Sequence, residues 1–285
     1  MSGETNQRLA ERLREAADLL EGQGANPFRV GAYRRAAETL VGLERDAADI
    51  LEREGLNGLI ALPNVGRSIA AAIEELIRTG RWAQLERLRG TLDPEHLFQA
   101  VPGIGPELAR RIHDALEIET LEGLEVAAHD GRLEQVPKIG ARRAAMIRAA
   151  LAAMLGRRPL RRRRETAAPS VGLLLDVDVE YRERAAKEEL RRIAPRRFNP
   201  SGEAWLPILH TRRGDWDMTA LYSNTARAHE LDKLHDWVVI YFHSDDEPEG
   251  QCTVVTETHG GLVGERVVRG RESECRAYYE NRTPA

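Results

Sequence analysis

Three short phrases hold the residues whose types and spacing point to chemistry. Leu62-Pro63-Asn64-Val65-Gly66, Val101-Pro102-Gly103-Ile104-Gly105 and Val136-Pro137-Lys138-Ile139-Gly140 share one pattern: aliphatic, Pro, any residue, aliphatic, Gly. They begin 39 and then 35 residues apart. Proline fixes φ, glycine admits positive φ, and the aliphatic residue between them can enter a core. The expected product is a tight turn that presents backbone N–H groups at a helix N-terminus. Such a turn binds phosphate without reading a base. Arg67, Arg110, Arg142 and Arg143 follow the turns, and Lys138 stands in the third where Gly103 stands in the second. A purely structural hairpin is the alternative; the neighbouring cations favour phosphate.

The elements that must position these turns are helical. Residues 5–21 carry Leu9, Leu13, Ala16, Ala17 and Leu20 at helical spacing, and Gly22 and Gly24 end the run. Asn26-Pro27 opens a second helix over 28–40, with Phe28, Ala32, Ala36, Ala37 and Leu40 on or near one face and Arg29, Tyr33, Arg34 and Arg35 at its start. Residues 46–54 predict a third helix ending at Gly55. Each turn then opens a further helix. Asp93 and Thr120 read as helix caps, and everything to about residue 155 reads as helical.

The net charge of −4 conceals a local excess. Residues 1–156 and 165–285 are acidic, net −4 and −6, whereas residues 157–164 hold six Arg and no acid. That run is either a solvated linker or a DNA-backbone contact. Lysine is confined to Lys138, Lys187 and Lys233. Only Cys252 and Cys275 are available as thiols, which suits a reduced cytoplasm. No apolar run is long enough for a membrane span, and the N-terminus has no apolar signal region.

After residue 170 the pattern changes. Val171–Leu175 is a short apolar run, and Asp178–Ile193 predicts a charged helix. Trp205–His210, Met218–Tyr222, Trp237–His243, Cys252–Thr258 and Val263–Val268 read as strands, with a helix over Thr225–Lys233 between them. Asp176-Val177-Asp178 and Asp215-Trp216-Asp217 offer paired carboxylates for a metal, but such pairs commonly sit at solvated strand ends. His210, His229, His235, His243 and His259 lack metal-ligand spacing. Trp205, Trp216 and Trp237 read mainly as core. Arg227, His229 and Glu230 are the first residues to inspect for further chemistry.

The helical half resembles the N-terminal region of the family X DNA polymerases. Asn26-Pro27-Phe28-Arg29-Val30-Gly31-Ala32-Tyr33-Arg34-Arg35-Ala36-Ala37 is similar to the lyase-domain helix of that family. Ala61–Ala70 resembles its first hairpin, and Val101–Ala109 with Leu116–Leu124 resembles its second. The resemblance implies a phosphate pocket in which Arg29 and Tyr33 take the places of a lysine and a tyrosine. It implies a monovalent cation, Na+ or K+, on the carbonyls of Ile60, Leu62 and Val65 in the first hairpin. The corresponding carbonyls of the second are those of Gln99, Val101 and Ile104. It also locates a departure: Ala72 and Ser68 stand where the family carries its Schiff-base lysine and a supporting lysine. No lysine precedes Lys138, and arginine is a poor nucleophile, so the lyase chemistry is expected to be missing. No Gly-Ser-x-Arg turn precedes Asp176 to mark a catalytic palm.

The resulting expectation is a two-part chain. An all-α tandem helix-hairpin-helix half comprises a lyase-like domain (1–90) and a hairpin domain (91–156). An arginine-rich linker (157–170) leads to a small, mainly antiparallel α+β domain (171–285). The residues expected to face DNA are Arg29, Tyr33, Arg34, Asn64, Gly66, Arg67, Gly103, Gly105, Arg110, Lys138, Gly140 and Arg142. The expected role is sequence-independent binding of nicked, gapped or 5′-phosphorylated DNA. The setting would be the cytoplasm, on the nucleoid, as a repair accessory without a required cofactor. Two alternatives concern the C-terminal domain: a metal-dependent nuclease or nucleotidyl transferase, and a docking module for a protein partner.

Overall fold

The computed structural model describes residues 2–154, 168–244 and 249–281. They divide into an all-α unit and an α+β unit. The arginine run at 157–164 lies outside the described residues. Among the described residues no helix is long and apolar enough to cross a membrane.

The all-α unit opens with α1 (Ser2–Gly22), α2 (Pro27–Val41), α3 (Ala47–Ile60), α4 (Arg67–Thr79) and α5 (Ala83–Arg89). Buried alanines (Ala16, Ala17, Ala36, Ala37) let α1 and α2 lie close along each other, with Leu13, Leu20 and Leu40 filling the seam. Asn26 caps α2 by accepting from the Phe28 N–H at 2.9 Å, and Pro27 occupies the first turn. The buried face of α2 is Arg29, Val30, Tyr33, Ala36, Ala37 and Leu40, so Phe28 falls out of phase and is 80% exposed. That corrects its sequence-based place in the core. Gly55 (φ 68°) interrupts α3, which continues to Ile60 beyond the predicted end.

The unit continues with α6 (Pro94–Phe98), α7 (Pro106–Leu116), α8 (Leu121–His129), a 3-10 turn (Arg132–Gln135) and α9 (Ala141–Met154). Asp93 and Thr120 cap α6 and α8 as their positions predict. Leu97, Phe98, Val101, Ile104, Ile112, Leu121, Leu124, Val136, Ile139 and Ile147 form one continuous core. Hairpin residues are therefore part of what holds this region together. Truncating a buried Ile here to Ala would cost about 2–5 kcal/mol.

The α+β unit holds α10 (Val171–Ala186), β1 (Arg191–Ile193), β2 (Leu206–Arg213), β3 (Trp216–Tyr222), α11 (Ala226–Glu230), β4 (Val238–His243), β5 (Gly250–Thr256), β6 (Arg266–Val268) and α12 (Glu272–Glu280). The strands form one antiparallel meander in sequence order. Ser170 caps α10 through Leu173 N–H, so the apolar run and the start of the charged segment form a single helix. Glu188 at φ 57° ends that region, and Arg191–Ile193 is a strand instead of the helix end predicted there. Helix α10 packs on the sheet through Tyr181, whose hydroxyl donates to Pro207 O (3.0 Å) and accepts from Tyr222 N–H (2.8 Å). Asp178, fully buried, receives Arg266 in two bonds of 2.6 and 2.9 Å. Arg266 also reaches Asp236 at 2.5 Å.

Candidate nucleic-acid interface

The three phrases fold into the same turn. The residue after each proline has positive φ: 59° at Asn64, 91° at Gly103 and 70° at Lys138. In each, the next N–H donates back across the turn: Val65 to Leu62 O (3.2 Å), Ile104 to Val101 O (3.0 Å), Ile139 to Val136 O (3.0 Å). Proline at the second position with positive φ at the third is the type II pattern. Val65, Ile104 and Ile139 are buried, and they anchor the turns from below. Gly66, Gly105 and Gly140 then lead into α4, α7 and α9, each accepting the first helical bond. Gly66 and Gly105 provide no side-chain cap. The first N–H groups of α4 thus lack a capping side chain, a favourable place for an anion, whereas α7 begins with Pro106, which has no N–H, and its Leu108 N–H donates to Gly105 O at 3.1 Å.

The carbonyls named for a monovalent cation lie in and beside these turns. Those of Leu62 and Val101 accept the turn bond, which uses one lone pair of each and leaves one for a ligand.

The turns differ in charge. Arg67, Lys138 and Arg142 are exposed, and among the described residues none of their side chains has an acidic partner. Arg110 is also exposed but is held by Glu107 (3.0 and 3.2 Å) and Asp114 (3.2 Å). Arg111 adds a 2.7 Å contact to Glu107. Hydrogen bonds from Arg110 and Arg111 keep the Glu107 carboxyl below its ordinary range, and Arg110 is raised in turn by Glu107. The second turn therefore neutralises its own arginines, whereas the first and third do not.

The lyase-like region places its candidates unequally. Arg29 is only 8% exposed, and its Nε is enclosed without an acceptor. Among the described residues no carboxylate pairs with it, so a buried positive charge is left without a counter-charge. Tyr33 is 2% exposed; its hydroxyl donates to Gln84 Oε1 at 3.1 Å and its ring lies 5.6 Å from that of Trp82. It shapes the region from within and does not present itself to a ligand. Arg34 is bound by Asp18 (2.9 Å) and Glu21 (2.8 Å), which correct its place as an open cation. Its hydrogen bonds to Glu21 and Asp18 raise its pKa. Ala72 is buried on α4 and Ser68 half-buried in its first turn. Sequence reasoning missed Phe28 as a surface feature; the Asn26-Pro27 cap fixes the helical phase that turns it outward.

The carboxylate pairs of the α+β unit do not form shared sites. Asp176 and Asp178 lie two apart on α10, on opposite sides, one exposed and the other buried on Arg266 and Arg182. Asp215 is exposed in the β2–β3 turn, and Asp217 pairs in register with Arg212 and His243. The histidines are dispersed: His210 Nδ1 meets Thr219 Oγ1 at 3.0 Å, His235 packs edge-on to Tyr222, and His229 Nε2 meets Asn224 Oδ1 at 2.7 Å. Trp237 is buried under Arg269, while Trp205 and Trp216 are half-buried. Among the described residues the one metal-like grouping is Glu95, His113 and Asp114 in the all-α unit. There His113 Nδ1 lies 3.7 Å from Glu95 and Nε2 3.9 Å from Glu119, which brings α6 beside the last turn of α7.

Comparison with known proteins agrees with this geometry. Residues 4–82 match a helix-hairpin-helix domain, and residues 95–153 match a SAM-like helix-hairpin-helix tandem. The DNA polymerase/3′-5′ exonuclease PolX of Bacillus subtilis (strain 168) is 28% identical over 130 residues. That match covers 45% of this chain and 22% of the enzyme, so the chain spans about a fifth of that relative's length. The helical half is thus similar to the N-terminal helix-hairpin-helix region of the family X DNA polymerases.

Proposed function

We propose that this protein binds DNA through its helical half, holding the backbone near a nick, a gap or a 5′-phosphate end without reading sequence, as an accessory in DNA repair. The observation that carries the reading is the three-fold repetition of one turn, with the same bond and the same sign of φ, each leading into a helix. Arg29 supports the preference for ends: a buried guanidinium with no counter-charge is stabilised by an incoming phosphate dianion. Na+ or K+ on the carbonyls of Ile60, Leu62 and Val65, and of Gln99, Val101 and Ile104, would add a positive charge beside the strand. The pocket holds no lysine, so the role is to hold the end and leave the chemistry to another enzyme. The expected location is the cytoplasm, on the nucleoid.

Filter binding to a gapped duplex at two salt concentrations tests this. Contacts from Arg29, Arg67, Lys138 and Arg142 predict a slope of log affinity against log salt of about −3.6. Affinity would then fall by about two orders of magnitude for a fourfold rise in salt. A 5′-phosphate on the gap should tighten binding, and Arg29→Ala should remove that gain. No affinity at low salt would sink the reading. An unchanged phosphate preference in the variant would remove the end-specific part.

A further inference from the structure

Packing of the α+β unit does not account for Phe198. The ring is 47% exposed and its backbone has φ 52°, a conformation that glycine or asparagine would adopt at less cost. The loop that carries it is nevertheless fixed. Asn224 Nδ2 donates to Arg197 O at 3.0 Å, Asn199 Nδ2 donates to Glu203 O at 2.9 Å, and Ser201 Oγ donates to Asn199 Oδ1 at 3.2 Å. The ring stacks on His229, with centroids 4.2 Å apart and planes tilted by 41°, and the Arg197 guanidinium lies 5.3 Å from its centroid. Since the Asn224 amide nitrogen donates to Arg197 O, its Oδ1 is an acceptor, so His229 Nε2 carries the proton it donates. Burial, with the Arg197 charge, holds His229 below its ordinary pKa, so the ring is neutral at pH 7 and Nδ1 remains an acceptor.

The surroundings specify a charge for the ligand. Leu190–Gly202 holds Arg191, Arg192, Arg196 and Arg197 and no acid, within a region of net −6, and of these Arg192 is held by Glu188 at 2.8 Å. Arg196 and, on α11, Arg227 are exposed, and neither side chain has an acidic partner among the described residues. A half-exposed aromatic ring on a fixed loop with arginines beside it suits bases of an unpaired strand. Every base has a face to stack, and the phosphates meet the cations. An acidic or apolar protein surface would use the arginines or the ring, but neither would use both together.

We infer that Phe198, His229 and Arg197, flanked by Arg196 and Arg227, form a second nucleic-acid site that stacks an unpaired base of single-stranded DNA. The inference rests on the reading that the chain is a DNA-binding protein; covalent linkage to the helical half would raise the effective concentration of strand at this site.

The test uses the full chain and two probes by fluorescence anisotropy at low salt: a fluorescein-labelled oligothymidylate about 15 nucleotides long and a fully paired duplex. Phe198→Ala should weaken the oligothymidylate about tenfold and leave the duplex unchanged. Phe198→Tyr should restore binding, whereas Phe198→Leu, apolar but without a π face, should not. Arg196→Ala with Arg227→Ala should reduce the salt slope for the single strand by about 1.4. Wild-type affinity in Phe198→Ala, or rescue by leucine, would overturn the inference. An equal loss on both probes would also overturn it, since the ring would then act through the fold. Duplex binding without oligothymidylate binding would sink this site and leave the helical-half reading standing; binding of neither probe would end both.

Discussion

Replacing Lys138 with glycine should stabilise the helical unit and weaken its hold on DNA at once. Lys138 occupies φ 70° at the position that Gly103 fills in the second turn and Asn64 in the first. A left-handed backbone costs a side-chain-bearing residue about 1–2 kcal/mol. Glycine's extra freedom in the unfolded chain returns about 0.4–1 kcal/mol of that. The expected net gain is about 0.5–1 kcal/mol, or about 2 °C in the melting of a unit of this size. The Arg143 bond to the Lys138 carbonyl (3.3 Å) is to backbone and survives the change. On DNA the variant loses one exposed cation, so the salt slope should shrink in magnitude by about 0.9. Urea denaturation and salt-dependent filter binding on the same preparation read the two effects separately. A less stable variant would refute the strain, and an unchanged slope would refute the phosphate contact. Gly103→Lys is the converse: its added Cβ meets nothing within 4 Å, but φ 91° makes it costly, so it should destabilise while steepening the slope.

Other outcomes follow from the charges. Arg67→Ala and Arg142→Ala should each reduce the salt slope by about 0.9, whereas Arg110→Ala, whose charge Glu107 and Asp114 already hold, should change it far less. Burial raises Asp236, but Thr256 hydrogen bonds and the Arg266 charge outweigh it and leave the carboxyl below its ordinary value. A depressed carboxyl contributes stability above about pH 4 that is lost as pH falls through its folded value. Asp236→Asn should therefore lose about 2 kcal/mol at pH 7 and show a shallower acid limb in urea titrations from pH 7 to 3. Burial pushes the Cys252 thiol up to about 12, so at pH 8 it should react with iodoacetamide about a thousandfold more slowly than in the unfolded chain, and Cys275, also raised by burial, should be slowed too. Rapid native alkylation in mass spectra would contradict that burial.

The sequence made the hairpins legible because their chemistry is local. Proline and glycine at fixed offsets set the turn, and the aliphatic residue between them could be assigned to the core without knowing its neighbours. The caps Asp93 and Thr120 and most strands were legible for the same reason. What failed depends on contacts distant in sequence. Arg34 reads as an open cation until Asp18 and Glu21 are brought across from α1. Tyr33 reads as a ligand contact until its hydroxyl is found on Gln84, 51 positions later. Asp178 reads as half of a metal pair until Arg266, 88 positions later, occupies it. The Phe198 site needed both: its arginines are visible in sequence, but the His229 stack and Asn224 brace exist only in the fold.

Glu107 is the residue by which the second turn differs most from its sister turns, and its removal should convert it. It sits in the first turn of α7 and bridges Arg110 and Arg111, two residues at the mouth of a turn otherwise shaped like the first and third. Near a strand it does harm twice, by repelling phosphate and by occupying two guanidinium groups. Within the helix it does good, since an acid near an N-terminus is stabilising. Glu107→Gln keeps the shape, removes the charge, frees Arg111 and leaves Arg110 on Asp114 alone. The helix should lose a little stability. DNA affinity should rise several-fold, and the salt slope should steepen by about 1–2 as one or both arginines engage phosphate. Lowering pH in the wild type cannot reproduce this in the ordinary range, because the two arginines hold the Glu107 carboxyl ionised below its usual pKa. If Glu107→Gln binds no more tightly and keeps the wild-type slope, the second turn does not face the strand. The grip would then rest on the first and third turns, where Arg67, Lys138 and Arg142 stand without acidic partners among the described residues.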